Sequence, residues 1–151
     1  MLKIMRKDWE ALRRHGEETY PYECCGVLLG HVDPDSAGGT NQVRGLVPCS
    51  NTRTDSPQNR YSIDPRELVR AQRNARARDT DIIGFYHSHP DHPARWSQTD
   101  LEDAHWLGCS YVITSVEQGR ARDTNSFRLV GPDEEQKRFE DEPVAIIEPP
   151  E

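Results

Sequence analysis

Residues 82–86, IIGFY, form an unbroken apolar run that passes directly into His87-Ser88-His89-Pro90, and the next regular signal is Ser97-Gln98-Thr99-Asp100. The apolar run predicts a buried strand over 81–87. Residues two apart in a strand face the same way, so His87 and His89 point to one side. Pro90 has no N–H to give a central ladder, which predicts that the chain leaves the sheet there. Ser97 then marks a helix start, over 98–107, and places Asp100 in the first turn. A helix that begins beside the end of a strand brings two imidazoles and one carboxylate together. Three protein ligands with a further position left for water is the pattern of a catalytic rather than a structural metal site. Each half has a plainer reading: Ser-x-x-Asp is also a capping pattern, and a lone His-x-His pair is often coincidence. Strand, proline break and helix start in this order favour His87, His89 and Asp100 as ligands of one metal ion.

The rest of the chain predicts one α/β domain. Trp9, Leu12 and His15 or Gly16 recur at helical spacing over 8–19, ahead of Pro21. Residues 24–30, CCGVLLG, suit a buried strand, and 43–47 suit a strand that pairs back on it across a turn at 33–42, which contains Pro34, Gly38 and Gly39. Residues 49–60 are polar and irregular and precede a short strand at 61–63. Asp64-Pro65 is a strong helix start, and good helix formers follow it. Strands are expected at 111–116 and 126–130, with a polar turn containing Gly119 between them. Residues 1–131 are read as the domain and 132–151 as an acidic tail with a possible edge strand at 144–147 and a frayed Pro149-Pro150 end. No internal repeat is visible.

Composition excludes several functions. The formal charge is −7, and the 19 basic residues are scattered, so no basic stripe exists to track a nucleic acid. No run reaches the apolar length of a membrane span, and the charged opening MLKIMRKDWEALRR lacks a signal-peptide core, which together predict a cytoplasmic protein. Cys24, Cys25, Cys49 and Cys109 show no C-x-x-C spacing and are expected to be reduced. A zinc nucleobase deaminase is excluded, because its cysteine pair and its glutamate two residues after the histidine are both missing.

Metal-dependent hydrolysis also needs a base beside the metal. Glu23 opens an apolar strand, where a charge has no packing role, although from spacing alone a surface position at the strand edge or an arginine partner is the better reading. Glu23-Cys24-Cys25-Gly26, then His87-Ser88-His89-Pro90, then Ser97 and Asp100 resemble the JAMM motif of the MPN-domain metalloprotease family: Glu, His-Ser/Thr-His, seven residues, Ser, two residues, Asp. The similarity runs from about Glu23 to Leu129 and includes the Tyr61 to Pro65 stretch.

The resemblance implies an α/β fold with a curved mixed sheet flanked by helices. It also implies one zinc ion on His87, His89 and Asp100, with Glu23 as general base and proton donor and Ser97 as a holder of the oxyanion. Family members cut peptide or isopeptide bonds next to the C-terminal Gly-Gly of ubiquitin-like proteins. The compact prokaryotic type it most resembles includes members that release cysteine from a sulfur-carrier protein and members that remove modifiers from lysine. A non-catalytic MPN scaffold that binds such a partner is the competing expectation. The carrier, the leaving group and the oligomeric state stay open. His92 is read as an exposed loop residue, Trp96 as a wall of the site or an anchor of its loop, and His105 as structural. Cys24 and Cys25 are disfavoured as nucleophiles or ligands.

Overall fold

The structure, a computed structural model, describes residues 1–34, 39–53 and 55–149. The chain runs β1 (Leu2–Met5), α1 (Arg6–Thr19), β2 (Cys25–Asp33), β3 (Thr40–Cys49), α2 (Pro65–Ala77), β4 (Asp81–Pro90), α3 (Gln98–Asp103), β5 (Ser110–Glu117), β6 (Arg120–Val130), β7 (Arg138–Glu142) and β8 (Val144–Ile147). Among the described residues the strands form one sheet in the order β7-β6-β5-β4-β2-β3-β1-β8. The pairs β4–β5, β1–β3 and β1–β8 are parallel and the others antiparallel, so the sheet is mixed as expected.

Both faces of the central strands are buried, which is why β2, β4 and β5 read as nearly continuous apolar runs. On one face Leu12 of α1 packs with Leu28, Ile83, Tyr86 and Val112. On the other, Ala71 and Ala75 of α2 pack with Val27, Phe85, Tyr111 and Ile113. The small alanines let α2 sit close to the sheet. Asp64 caps α2 by accepting the Arg66 N–H at 2.8 Å, and Pro65 occupies the first turn, as its sequence signals. The β5–β6 hairpin turns on Gln118 (φ 48°) and Gly119 (φ 84°), the paired left-handed geometry that a two-residue hairpin loop needs.

Several expectations change. β1 was hidden in the amphipathic start: Leu2 and Ile4 point inward, but four residues carry too short a period to be recognised, and the partners β3 and β8 lie far away in sequence. The acidic tail supplies both edges of the sheet, the expected β8 and the unexpected β7, whose RFEDE sequence buries Phe139 and Glu142 against β6. β4 extends to Pro90 rather than stopping at His87. Its pairing with β2 ends at His87, so nothing on that side needs the missing N–H, while β5 accompanies it to the end. α3 stops at Asp103, short of 107, and the strand at 61–63 is a single bridge between Ile63 and Asn51. The expected turn at 33–42 lies partly outside the described residues, as do its Gly38 and Pro150 of the frayed end.

Candidate metal centre

His87 and His89 leave β4 on the same face, as the alternation requires, and their Nε2 atoms stand 3.2 Å apart. Asp100 reaches both, with Oδ1 3.2 Å from His87 Nε2 and Oδ2 3.0 Å from His89 Nε2. The donor atoms of all three lie within 4.8 Å of one another. Burial alone would raise the Asp100 pKa, but the charges and hydrogen bonds of His87 and His89 outweigh it and hold the carboxyl well below the usual carboxylate range. Burial pushes the His87 pKa down, against the pull of the Asp100 carboxylate.

The surroundings suit a cation. His89 Nδ1 is 2.8 Å from the Pro93 carbonyl, and a carbonyl oxygen only accepts, so Nδ1 carries a proton and Nε2 is the nitrogen turned to Asp100. Tyr61 stacks on the His87 ring, with centroids 4.6 Å apart, and fixes its plane. Asp100 is held by a capping box at the start of α3: its N–H donates to Ser97 Oγ at 3.0 Å, and the Ser97 N–H donates to Oδ2 at 2.9 Å. The capping and ligand readings of Ser97-x-x-Asp100 are therefore compatible, because the cap orients the same carboxylate that faces the histidines. The Ser97 hydroxyl oxygen accepts in this box, which leaves its own proton available to a further acceptor.

Glu23 lies just before β2. It is 3% exposed, and its Oε1 has no hydrogen-bond partner among the described residues. Burial, reinforced by the negative charge of Asp100, pushes its pKa up to about 9. The neighbouring backbone is clamped. Glu23 N–H donates to the Pro57 carbonyl at 2.9 Å, Asn51 Nδ2 donates to the Glu23 carbonyl at 3.3 Å, and Cys24 N–H donates to Ser88 Oγ at 2.8 Å.

Sequence reading passed over three of these residues. Ser88 sits between the histidines on the opposite face and ties β2 to β4. Asn51 uses its whole carboxamide, since Nδ2 also reaches the Arg60 carbonyl and Oδ1 accepts the Arg53 and Ser62 N–H groups. The stacking role of Tyr61 had no local signal beyond its membership of the 61–65 stretch. Trp96 takes the anchoring role, its ring 5.6 Å from Phe139 of β7. His92 is exposed, and His105, also exposed, pairs with Glu134 at 2.8 Å. All four cysteines are free and buried. Burial pushes the Cys24 thiol up to about 12 and that of Cys25 higher still, which leaves both poor nucleophiles.

Comparison with known proteins agrees with this architecture. A solved Desulfitobacterium hafniense protein superposes with a TM-score of 0.79 at 29% identity, covering 99% of this chain and 94% of that one. A Haloferax volcanii protein named desampylase is 38% identical over 95 residues, 63% of each chain, so the match spans under two thirds of that relative. A Thermus thermophilus protein named as a probable TtuB-protein conjugate cleaving protease is 32% identical over 121 residues, 80% of this chain and 74% of that one. The profile of prokaryotic homologues of the JAB domain matches residues 5–130. With that match running from the end of β1 to the end of β6, the chain belongs to the prokaryotic JAB family.

Proposed function

We propose that this protein is a zinc-dependent hydrolase that cuts the peptide or isopeptide bond after the C-terminal Gly-Gly of a small ubiquitin-like or sulfur-carrier protein. The observation that carries the proposal is Glu23, a buried carboxyl with an unpartnered oxygen beside three converging ligand side chains. An unpaired buried carboxyl costs stability, and a scaffold that only binds a partner has no use for one. The names of the Haloferax and Thermus relatives support the choice of bond.

His87 Nε2, His89 Nε2 and an oxygen of Asp100 would hold the ion. A zinc ion there supplies a Lewis acid that polarises the scissile carbonyl and acidifies water. The chain's own residues do the rest. Glu23, raised by burial and by Asp100, would be brought down toward the range of a working base once the ion is held there. Glu23 takes a proton at Oε1 from the water whose oxygen bonds to the scissile carbon, and returns it to the leaving nitrogen as the C–N bond breaks. Ser97 donates its free hydroxyl proton to the oxygen of the substrate carbonyl as negative charge develops there. Tyr61 continues from the His87 ring into a cavity of about 340 Å³ lined also by Ile63, Phe85 and Trp106, which takes the extended tail of the partner. Glycine suits a tail pressed against a wall of rings because it brings no side chain.

The deciding experiment is Glu23→Gln. It should keep zinc binding and partner binding, and lose turnover by about 10²–10⁴-fold, the usual contribution of a general base. Full turnover in this variant would remove Glu23 from the chemistry and return the scaffold reading.

A further inference from the structure

The 19 basic residues are scattered along the sequence, but the fold gathers Arg66, Arg70, Arg73, Arg76 and Arg78 at α2. This helix buries Ala71 and Ala75 against the sheet and packs Leu68 beside them. At 3.6 residues per turn the opposite side carries Arg66, Arg70, Arg73 and Arg76, with Val69 among them. All four arginines are exposed, and so is Val69, by 46%. Arg78, which follows the helix, carries the row round to β3: a Cβ built on Gly45 would stand 3.0 Å from its guanidinium, beside the exposed Arg44.

The row is not neutralised from within. Asp64 pairs with Arg66 at 3.0 Å, and Glu67, which accepts the Ser50 N–H at 3.1 Å, reaches Arg70 at 3.4 Å. Among the described residues no carboxylate lies within 4.0 Å of Arg73, Arg76 or Arg78. Side chains three or four apart on a helix are neighbours, so Arg66 and Arg70, Arg70 and Arg73, and Arg73 and Arg76 repel one another. A merely solvated face avoids that cost by mixing signs, and it has no need of a valine among the charges. In a chain of formal charge −7, an all-positive row is where attraction for an anion is concentrated.

Position and length select the anion. Leu68, on the inner side of the same helix, lines the cavity assigned above to the tail, so a tail that runs past Leu68 brings the folded body joined to it up to α2. From Arg66 to Arg76 the row is about 15 Å long, the scale of one face of a small domain and under half a turn of duplex DNA, about 34 Å. Val69 supplies an apolar centre inside a charged rim, which a protein contact uses and a phosphate backbone does not. Resting on the hydrolase reading above, we infer that the outer face of α2 is a docking surface for the folded body of the tail-bearing protein, and that this body presents acidic side chains to Arg70, Arg73 and Arg76.

The probes are two ubiquitin conjugates whose C-terminal Gly-Gly is joined to a lysine peptide, one unmodified and one whose amines were succinylated before conjugation, which makes its surface strongly acidic. Binding to the zinc-loaded protein is read by fluorescence anisotropy at about 50 and about 300 mM NaCl, and cleavage by mass spectrometry. The succinylated conjugate should bind at least about tenfold more tightly at the lower salt and lose that advantage at the higher. Arg73→Glu/Arg76→Glu changes two exposed residues that hold no ion pair, so it should leave Tm unchanged. It should abolish the advantage and raise KM for the succinylated conjugate with kcat unaltered, while a short peptide with the same Gly-Gly-lysine linkage is cut equally by both proteins. No advantage for the succinylated conjugate, or one that survives Arg73→Glu/Arg76→Glu, overturns the docking surface. Tighter binding of a DNA duplex, lost in the same variant, makes the partner a nucleic acid and overturns it as well. The expected binding with every substrate left intact overturns the hydrolase reading instead.

Discussion

Gly26 gives the sharpest stability prediction. A Cβ built on it would stand 2.2 Å from Tyr86 Cε1, 2.3 Å from Cζ and 2.5 Å from the hydroxyl. Non-bonded carbons rest at about 3.5–4.0 Å, so Gly26→Ala forces the Tyr86 ring back by more than about 1 Å. The ring cannot do this freely. It is 1% exposed and its hydroxyl is 2.8 Å from His15 Nδ1. Overpacking a core costs about 1–3 kcal/mol, and a buried hydroxyl pulled from its partner adds about 1 kcal/mol. The sum, about 2–4 kcal/mol, lowers Tm by roughly 4–16 °C in a domain of this size. Thermal melts of Gly26→Ala, Tyr86→Leu and the double variant measure it, because leucine lacks the three clashing atoms. The double variant should melt well above the additive expectation, by a coupling of about 1 kcal/mol or more. If Gly26→Ala melts within about 1 °C of wild type, or if the two changes simply add, the close approach of β2 to the ring is not what holds this position to glycine.

Two further outcomes follow from the same geometry. Zinc at about a hundred times its dissociation constant should stabilise the fold by about 2.7 kcal/mol, a rise of roughly 5–11 °C in Tm, and Asp100→Ala or a His87→Ala/His89→Ala pair should abolish the shift; an equal shift in the double histidine variant would place the ion elsewhere. Burial holds the folded His15 pKa below the ordinary histidine value of 6.5, so over the range between them the unfolded chain binds a proton that the native chain does not. The His15 contribution to stability is therefore lost as pH falls below about 6.5, and His15→Gln should flatten the stability profile on the acid side of that pH, as read by urea melts; a slope unaltered by the substitution would assign the acid sensitivity to other groups.

The centre of the molecule was legible and its margins were not. β2, β4 and β5 are buried on both faces, so each announces itself as an apolar run, and Asp64-Pro65 names the start of α2 from two residues. The grouping of His87, His89 and Asp100 was legible because a strand period, a proline and a cap signal each constrain the next residue. β1 and β7 were not: each is four or five residues long, β1 pairs with strands distant in sequence, and β7 has a charged sequence that does not mark it as the partner of the neighbouring β6. Nothing in RFEDE favours a strand until β6 offers its backbone and Phe139 finds Tyr111, Phe127 and Trp96. Asn51 was invisible for a related reason. Its value lies in four hydrogen bonds to backbone that only the folded loop brings within reach.

Those margins nevertheless bear on the site. His87 and His89 owe their common face to the register of β4 with β5, where His87 meets Ile113 and His89 meets Ser115, and with β2, where Cys25 meets His87. A slip of one residue would turn both imidazoles to the α1 side, so the placement of the two histidines is as secure as the sheet itself. Asp100 has a different warrant. It stands on a helix of six residues, α3, reached through the loop at 91–97, and that loop is held by Asn125 Nδ2 on the Ala94 carbonyl at 3.0 Å and by Trp96 against Phe139 of β7. The placement of Asp100 therefore depends on a tail strand at the sheet edge, where local opening is easiest. Loosening β7 should be felt first as a weaker hold by Asp100 and Ser97, with the histidine pair and Glu23 still in place.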